Sequence, residues 1–442
     1  MYVTVIGGGL AGCEAAWQLA SRGVEVRLIE MKPTKYSPVH VSVNLAELVC
    51  SNSLRSNSLQ SAAGILKEEM RLLDSLIIEA ALATRVPAGR ALAVDRNQFS
   101  SFITERMETN PRITVERREV HSLPPERDGP AIVATGPLTS EALANAIADH
   151  FGGKGLAFYD AIAPIIYAES LDRTKLFKAS RYESQEGDYL NAPMDETTYR
   201  SFVAAILGAQ KVALHPFEDS TYFEGCLPIE ELARRGPETL AYGPMKPVGL
   251  IDPSTGKTPF AVVQLRTENK EETLYNMVGF QTKMTHPEQK RVFRMIPGLE
   301  NAEFARFGSI HRNTYLDAPR HLDHFCRSNT SPHIFFVGQI TGVEGYLEST
   351  ASGLAVALMA GLVIRGQDPP LPPTTTAIGG LLRHTRVIER HAYEPMNVNF
   401  GLMDAPQKHI PKREKRQFLA FRAVADIMDW KHTIDRMYES SD

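Results

Sequence analysis

Six residues near the start of the chain have the types and spacing to hold a dinucleotide. Gly7, Gly8, Gly9, Leu10, Ala11 and Gly12 read G-x-G-x-x-G, and Glu30 follows 23 residues after Gly7. Each glycine has its own task. Gly7 permits a tight turn, Gly9 lets backbone approach a pyrophosphate, and Gly12 lets a helix press against a strand. A helix starting there offers free N–H groups and the positive end of its dipole to phosphates. Glu30 is placed to accept hydrogen bonds from a ribose.

The second candidate chemistry is that of thiols. The cysteines are Cys13, Cys50, Cys226 and Cys326, and no two form C-x-x-C. That excludes a zinc ribbon and a disulfide scaffold, and no metal site is expected. Cys50 lies in Glu47-Leu48-Val49-Cys50-Ser51-Asn52-Ser53-Leu54-Arg55-Ser56, a polar loop ahead of a long helical stretch. Cys226 lies in Phe223-Glu224-Gly225-Cys226-Leu227-Pro228-Ile229-Glu230, two residues ahead of a helix-starting proline. A helix N-terminus favours the thiolate, whereas a buried free cysteine is otherwise a small packing residue. The residues alone leave both readings open. Cys13, inside the first helix, reads as packing, and Cys326 has no motif around it.

These groups need elements to hold them. Residues 2–6 read as a strand, 13–20 as a helix and 24–29 as a second strand, so the glycine motif lies in strand–turn–helix–strand context. Ala131-Ile132-Val133-Ala134-Thr135-Gly136 is a buried strand ending in Ala-Thr-Gly. Residues 334–339 form another, followed by Thr341-Gly342-Val343-Glu344-Gly345-Tyr346 and a long apolar helix. Two late strands returning glycine-rich ends to one crevice resemble the two-dinucleotide-binding-domain flavoproteins, whose late segment (here Gly338, Gln339 and Tyr346) touches the flavin. FAD is favoured over NAD. S-adenosylmethionine, which also binds such loops, stays as an alternative. The near-uncharged run 351–364 is 14 residues, short of the roughly 20 needed to cross a bilayer, so it reads as a core helix. With a strand at residue 2 leaving no room for a signal peptide, no membrane partner and a cytoplasmic location are expected.

Between these segments, 61–84 reads as one helix, 96–107 as another and 113–115 as a strand. From about residue 176 strands dominate, at 246–251, 261–266 and 274–280, and His286-Pro287 opens a helix. The expected fold class is α/β: a Rossmann-like FAD-binding domain (1–175 and 306–442) carrying a smaller strand-rich α+β insertion domain (176–305). The net charge is −4, which excludes a uniformly basic nucleic-acid coat. Yet residues 408–422 hold six basic residues and one acid, and Phe418, Phe421, Val424 and Met428 then recur at helical spacing. This segment is either a solvated face beside a packed helix or a phosphate-contacting patch.

Gly-Gly-Gly-Leu-Ala-Gly-Cys-Glu-Ala-Ala-Trp-Gln-Leu-Ala, Leu-Val-Cys-Ser-Asn-Ser-Leu-Arg, Phe-Glu-Gly-Cys-Leu-Pro-Ile-Glu and Gly-Gln-Ile-Thr-Gly-Val-Glu-Gly-Tyr together resemble the TrmFO family. These are folate- and FAD-dependent tRNA uracil-5-methyltransferases, and the resemblance covers essentially the whole chain. The related MnmG (GidA) wobble-uridine flavoproteins share the first and last motifs but lack the two cysteine motifs. The resemblance implies that a thiolate adds to uracil C6, that C5 takes a carbon from 5,10-methylenetetrahydrofolate, and that reduced FAD, regenerated by NAD(P)H, supplies a hydride. It further implies the T arm of tRNA as partner, Cys226 as nucleophile, Cys50 beside the flavin, and His286 against the folate pteridine, with Tyr346 in the same pocket. The alternatives are an MnmG-like wobble-uridine modifier and a small-metabolite FAD oxidoreductase. Oligomeric state is not legible.

Overall fold

The computed structural model describes residues 2–153, 156–181, 187–212, 227–386 and 393–440. Short strands, three of them almost wholly buried, make a parallel sheet. Its strands stand in the order Ile334–Phe336, Ala131–Val133, Tyr2–Ile6, Glu25–Glu30, Ile113–Arg117, and every neighbouring pair is parallel. From Tyr2–Ile6 the chain builds outward in one direction, then returns to build on the other side. The strand order therefore reverses beside Tyr2–Ile6, and at such a switch point α/β sheets bind ligands outside the strands' carboxyl ends. Gly7 and Ala134 follow the two strands that flank it. The expected Rossmann-like class holds.

Two helices press on this sheet and on each other. Leu10–Ala20 carries Gly12 at its third position, where an added Cβ would lie 1.8 Å from Gly7 O. Gly353 of the core helix Tyr346–Val363 crosses it just as closely, its Cβ position 2.3 Å from Ala11 O. The core helix is long and apolar enough to span a bilayer, but 89% of its 18-residue window is buried inside the protein.

The second sheet is antiparallel, in the order Phe177–Ala179, Tyr189–Met194, Ala261–Thr267, Leu274–Met277, Ile165–Tyr167, Phe304–Arg306. It has its own core, with Tyr199, Phe202, Tyr275, Phe280 and Phe293 fully buried. A two-stranded ribbon, Leu156–Ile162 with Ser309–Tyr315, leads into and out of it. The 28-residue C-terminal helix, Lys412–Glu439, returns to the first lobe and packs through Leu419, Ala423, Ile427, Trp430 and Ile434.

Two expectations need correction. Residues 61–84 form two helices, Ala62–Leu72 and Leu76–Ala83, not one. Asp74 takes φ +57°, and the buried Glu14 carboxylate accepts the Ile77 N–H (3.0 Å) and the Ser75 hydroxyl (2.7 Å), which starts a new helix. Residues 246–251 form no strand: Pro247 has no N–H, Gly249 has φ +76°, and Leu250 N–H turns back to Pro247 O at 3.0 Å. On the C-terminal helix the stripe at Phe418, Phe421 and Met428 faces solvent, 39%, 64% and 40% exposed. The packing face is the adjacent one.

Candidate flavin and thiol site

A cleft with about 600 Å³ of space opens at the switch point, lined by Gly7, Gly8, Gly9, Glu30, Lys32 and Thr135 among others. The buried Glu30 accepts the Gly8 N–H on one carboxylate oxygen (2.8 Å) and the Lys32 N–H on the other (2.9 Å). Each oxygen keeps lone-pair capacity for a further donor. No side chain caps the first helix at Gly9, and a Cβ on Gly9 would meet nothing within 4 Å. The late segment reaches the same turn. A Cβ on Gly338 (φ +78°) would lie 2.8 Å from Ala11 Cβ and 3.8 Å from Ser349 Cβ. Gly338 N–H donates to Ser352 Oγ at 3.2 Å, and Gln339 Nε2 donates to Glu344 at 2.6 Å. Ser349 Oγ is buried with no hydrogen-bond partner among the described residues.

Cys50 lies in a loop held from three directions. Its N–H donates to Tyr346 Oη at 2.7 Å, and the Ser51 N–H reaches the same oxygen at 3.3 Å. Tyr346 is the first residue of the core helix, and burial pushes its phenol pKa up. The Arg96 guanidinium donates to the carbonyls of Leu48 and Cys50, the latter at 3.2 Å, and pairs with Glu268. Arg266 donates to Asn52 Oδ1 (2.8 Å) and Ser51 Oγ (2.7 Å), while Asn52 Nδ2 donates to Val94 O (2.9 Å) and Thr267 O (3.0 Å). The half-buried thiol makes one long contact, 3.9 Å to Ala161 O.

Arg306 lies within electrostatic reach of Arg96, Tyr346 and Cys50, and burial followed by the Arg96 charge lowers its pKa. The next residue, Phe307, stacks on His286 with ring centroids 4.4 Å apart and planes 14° from parallel, and on Phe304 at 5.0 Å and 19°. His286 is exposed at the start of the helix His286–Phe293, with proline next to it.

The model of the glucose inhibited division protein A family matches residues 2–368. Two solved structures of Aquifex aeolicus GidA superpose with TM-scores of 0.69 and 0.67 at 14% and 16% identity. They cover 99% and 98% of this chain and 75% and 78% of theirs, a likeness of fold. A Geobacter sulfurreducens protein named methylenetetrahydrofolate--tRNA-(uracil-5-)-methyltransferase TrmFO is 56% identical over 433 residues, 98% of this chain and 99% of its own. The protein of the same name from Syntrophus aciditrophicus is 54% identical over 430 residues, 97% of each chain. The chain belongs to the TrmFO family.

For this TrmFO-family chain the structure brings the Gly7–Gly9 turn together with Glu30 at the cleft, sets Gly338 against Ala11 of the same motif, and joins Cys50 to Tyr346. His286 connects to that last pair through Phe307 and Arg306. Cys226 lies outside the described residues, as do 213–226 as a whole. Cys13 is fully buried, and burial, with Glu30 adding to it, pushes its thiol pKa up. Cys326 is also buried, its pKa pushed up to about 11. Among the described residues no cluster has the ligands for a metal ion.

Sequence reasoning missed Arg96, Arg266, Glu268 and Arg306. A usable signal existed for two of them. Gln264, Arg266 and Glu268 alternate along one face of an otherwise apolar strand. Polar groups buried at that period need partners elsewhere in the molecule. Arg96 and Arg306 carry no such local signature.

Proposed function

We propose that the protein methylates carbon 5 of the T-loop uridine of tRNA, U54. The one-carbon unit comes from 5,10-methylenetetrahydrofolate, FAD is the bound cofactor, and NAD(P)H is the reductant. The observation carrying this reading is 54–57% identity over nearly the whole length with proteins of that named activity. The tRNA substrate also implies work in the cytoplasm.

The residues fit the cofactor. The Gly7–Gly12 turn, with open space at Gly9 and uncapped N–H groups behind it, is a cradle for a pyrophosphate, and Glu30 for a ribose. Gly338, Gln339 and Tyr346 are the side of the site that would hold the flavin ring. When bound, FAD supplies the hydride that completes the methyl group.

The remaining work falls to the chain. Uracil C5 is a weak nucleophile until a thiolate adds to C6 and makes an enolate of the ring. Cys226 takes that role. Cys50, its backbone pinned by Tyr346 and Arg96, shapes the flavin pocket. His286 extends a stack of parallel rings over Phe307 and Phe304, and a flat pteridine adds to such a stack favourably. The target base must leave its own stack to reach the thiol.

The test uses tRNA carrying 5-fluorouridine, which cannot lose a proton from C5 and so traps the thiol adduct. Cys226→Ala abolishes the gel-shifted covalent complex. Cys50→Ala loses turnover and alters the flavin spectrum yet still forms the complex. The reverse pattern would overturn the roles and leave the reaction intact. Absence of tRNA methylation by the wild-type protein with folate would overturn the reaction.

A further inference from the structure

We infer that the first turns of the C-terminal helix are the surface on which the protein seats the phosphate backbone of its RNA substrate. This rests on the tRNA reading above and adds to it where the RNA lies. Residues 411–418 are all exposed, with the Arg416 guanidinium reaching back over the Phe400 ring at 5.6 Å. They carry Lys412, Arg413, Lys415 and Arg416, and exposed Lys408 lies just before them. Against these stands one acid, Glu414, 3.4 Å from Arg413.

The charge is not there for the helix. Cations in a first turn oppose the helix's own dipole, and none of these residues is buried against the protein. Along the helix itself acids return only at half-buried Asp426 and exposed Asp429, which confines the footprint to the turns before them. Within that footprint Phe421 is 64% exposed and Phe418 39%. Grooves flank the helix on both sides, one lined by Lys408, Phe418 and Arg422, the other by Arg383, Phe400 and Lys415; Asp404 lines both, its carboxylate paired with Arg383 at 2.5 Å. Exposed rings among exposed cations are what single-stranded nucleic acid requires: phosphates on the cations, an unstacked base on a ring.

The fold also places this surface at the right end of the molecule. Tyr438, at the far end of the helix, donates to Leu358 O near the end of the core helix, at 2.8 Å. The C-terminal helix is about 42 Å long at 1.5 Å per residue, so its basic turns lie far from that anchored end. A short stretch of chain bounds how far Arg422 lies from the start of the core helix. Val398 N–H donates to Glu348, two residues after Tyr346, at 2.8 Å. Six residues on, Asp404 O accepts from Arg422. Six residues span at most about 20 Å, close to the width of an RNA duplex. An unpaired strand seated on the basic turns can therefore run on towards the Cys50 loop.

The experiment measures binding of an isolated T-arm stem–loop RNA to the FAD-loaded protein across a salt series. The variants are K412E/R413E/K415E/R416E, the same four positions as Gln, and Phe421→Ala. Reversal is expected to weaken binding at least tenfold and to lower the log–log salt slope by roughly 3, at about 0.7–0.9 for each phosphate no longer neutralised. The Gln set weakens binding less, with a similar fall in slope, and Phe421→Ala weakens binding roughly tenfold with the slope unchanged. At saturating RNA, kcat stays within twofold of wild type. Unchanged affinity and slope in the reversal variant would overturn the inference while wild-type methylation leaves the proposed function standing. A change in mass by light scattering without a change in RNA affinity would also overturn it, assigning the face to a second copy of the chain.

Discussion

At Gly9 and Gly12 the same added atom meets opposite surroundings. A Cβ on Gly9 points into open space, whereas one on Gly12 would stand 1.8 Å from Gly7 O, inside the chain's own backbone. The two glycines of one motif therefore answer different questions. Gly9→Ala should fold with a melting temperature near wild type in the absence of flavin yet retain far less of the yellow chromophore, because its methyl enters the cofactor's space. Gly12→Val forces helix and strand apart. Overpacking of this kind costs about 3 kcal/mol or more, so the protein should lose stability whether or not FAD is present. Thermal melts with and without FAD separate the two. A Gly9→Ala protein that keeps full colour would remove the pyrophosphate from that turn.

Among the elements, helix Ala62–Leu72 shows how burial redirects ionisable groups into structural work. Glu69 is fully buried and accepts the N–H groups of Ala377 (2.7 Å) and Ile378 (2.8 Å), so one helix caps the start of another. Burial pushes its pKa up to about 8, against the opposing pull of those two N–H donors. The folded protein therefore holds a proton there that the unfolded chain releases near pH 4.5. Between those two values the native state binds more protons, so Glu69's contribution to stability falls as pH rises and levels off above about 8. Glu69→Gln should flatten the fall in melting temperature between pH 5 and pH 8. Its absolute melting temperature is not the test, since the amide also gives up one acceptor. Parallel slopes for both proteins would show that Glu69 titrates normally.

For the molecule as a whole, the Cys50 loop is one of the joints between its two lobes. Arg96 opens a helix of the first lobe, and Glu268 follows a strand of the second. Their side chains are 15% and 3% exposed. Removing one partner of a buried pair leaves the other charged and unpaired, at a cost of about 3–5 kcal/mol. Arg96→Met should therefore be severely destabilised in urea unfolding, and Arg96→Met/Glu268→Leu should recover most of the loss. Methylation should stay low in the double variant, because the carbonyls of Leu48 and Cys50 still lack their donor. Recovery of activity along with stability would reduce the pair to a structural bolt.

What the residues determined by themselves was local: the glycine turn between a strand and a helix, Glu30 after the second strand, and the late glycine-rich turn. Each of these depends on φ freedom, apolar runs and spacing along a few neighbouring positions. The break at Asp74 escaped because its cause, Glu14, lies some sixty residues away in sequence. Which face of the C-terminal helix packs was undecided in the sequence for a related reason. Periodicity shows that a helix has an apolar face, but only the neighbouring elements decide which face they cover, and here they cover Leu419, Ala423 and Ile427. The grip of Arg96, Arg266 and Tyr346 on the cysteine loop belonged wholly to the tertiary structure. Its partners come from three distant stretches of chain, and nothing in any one stretch records the hydrogen bonds it will make with the others.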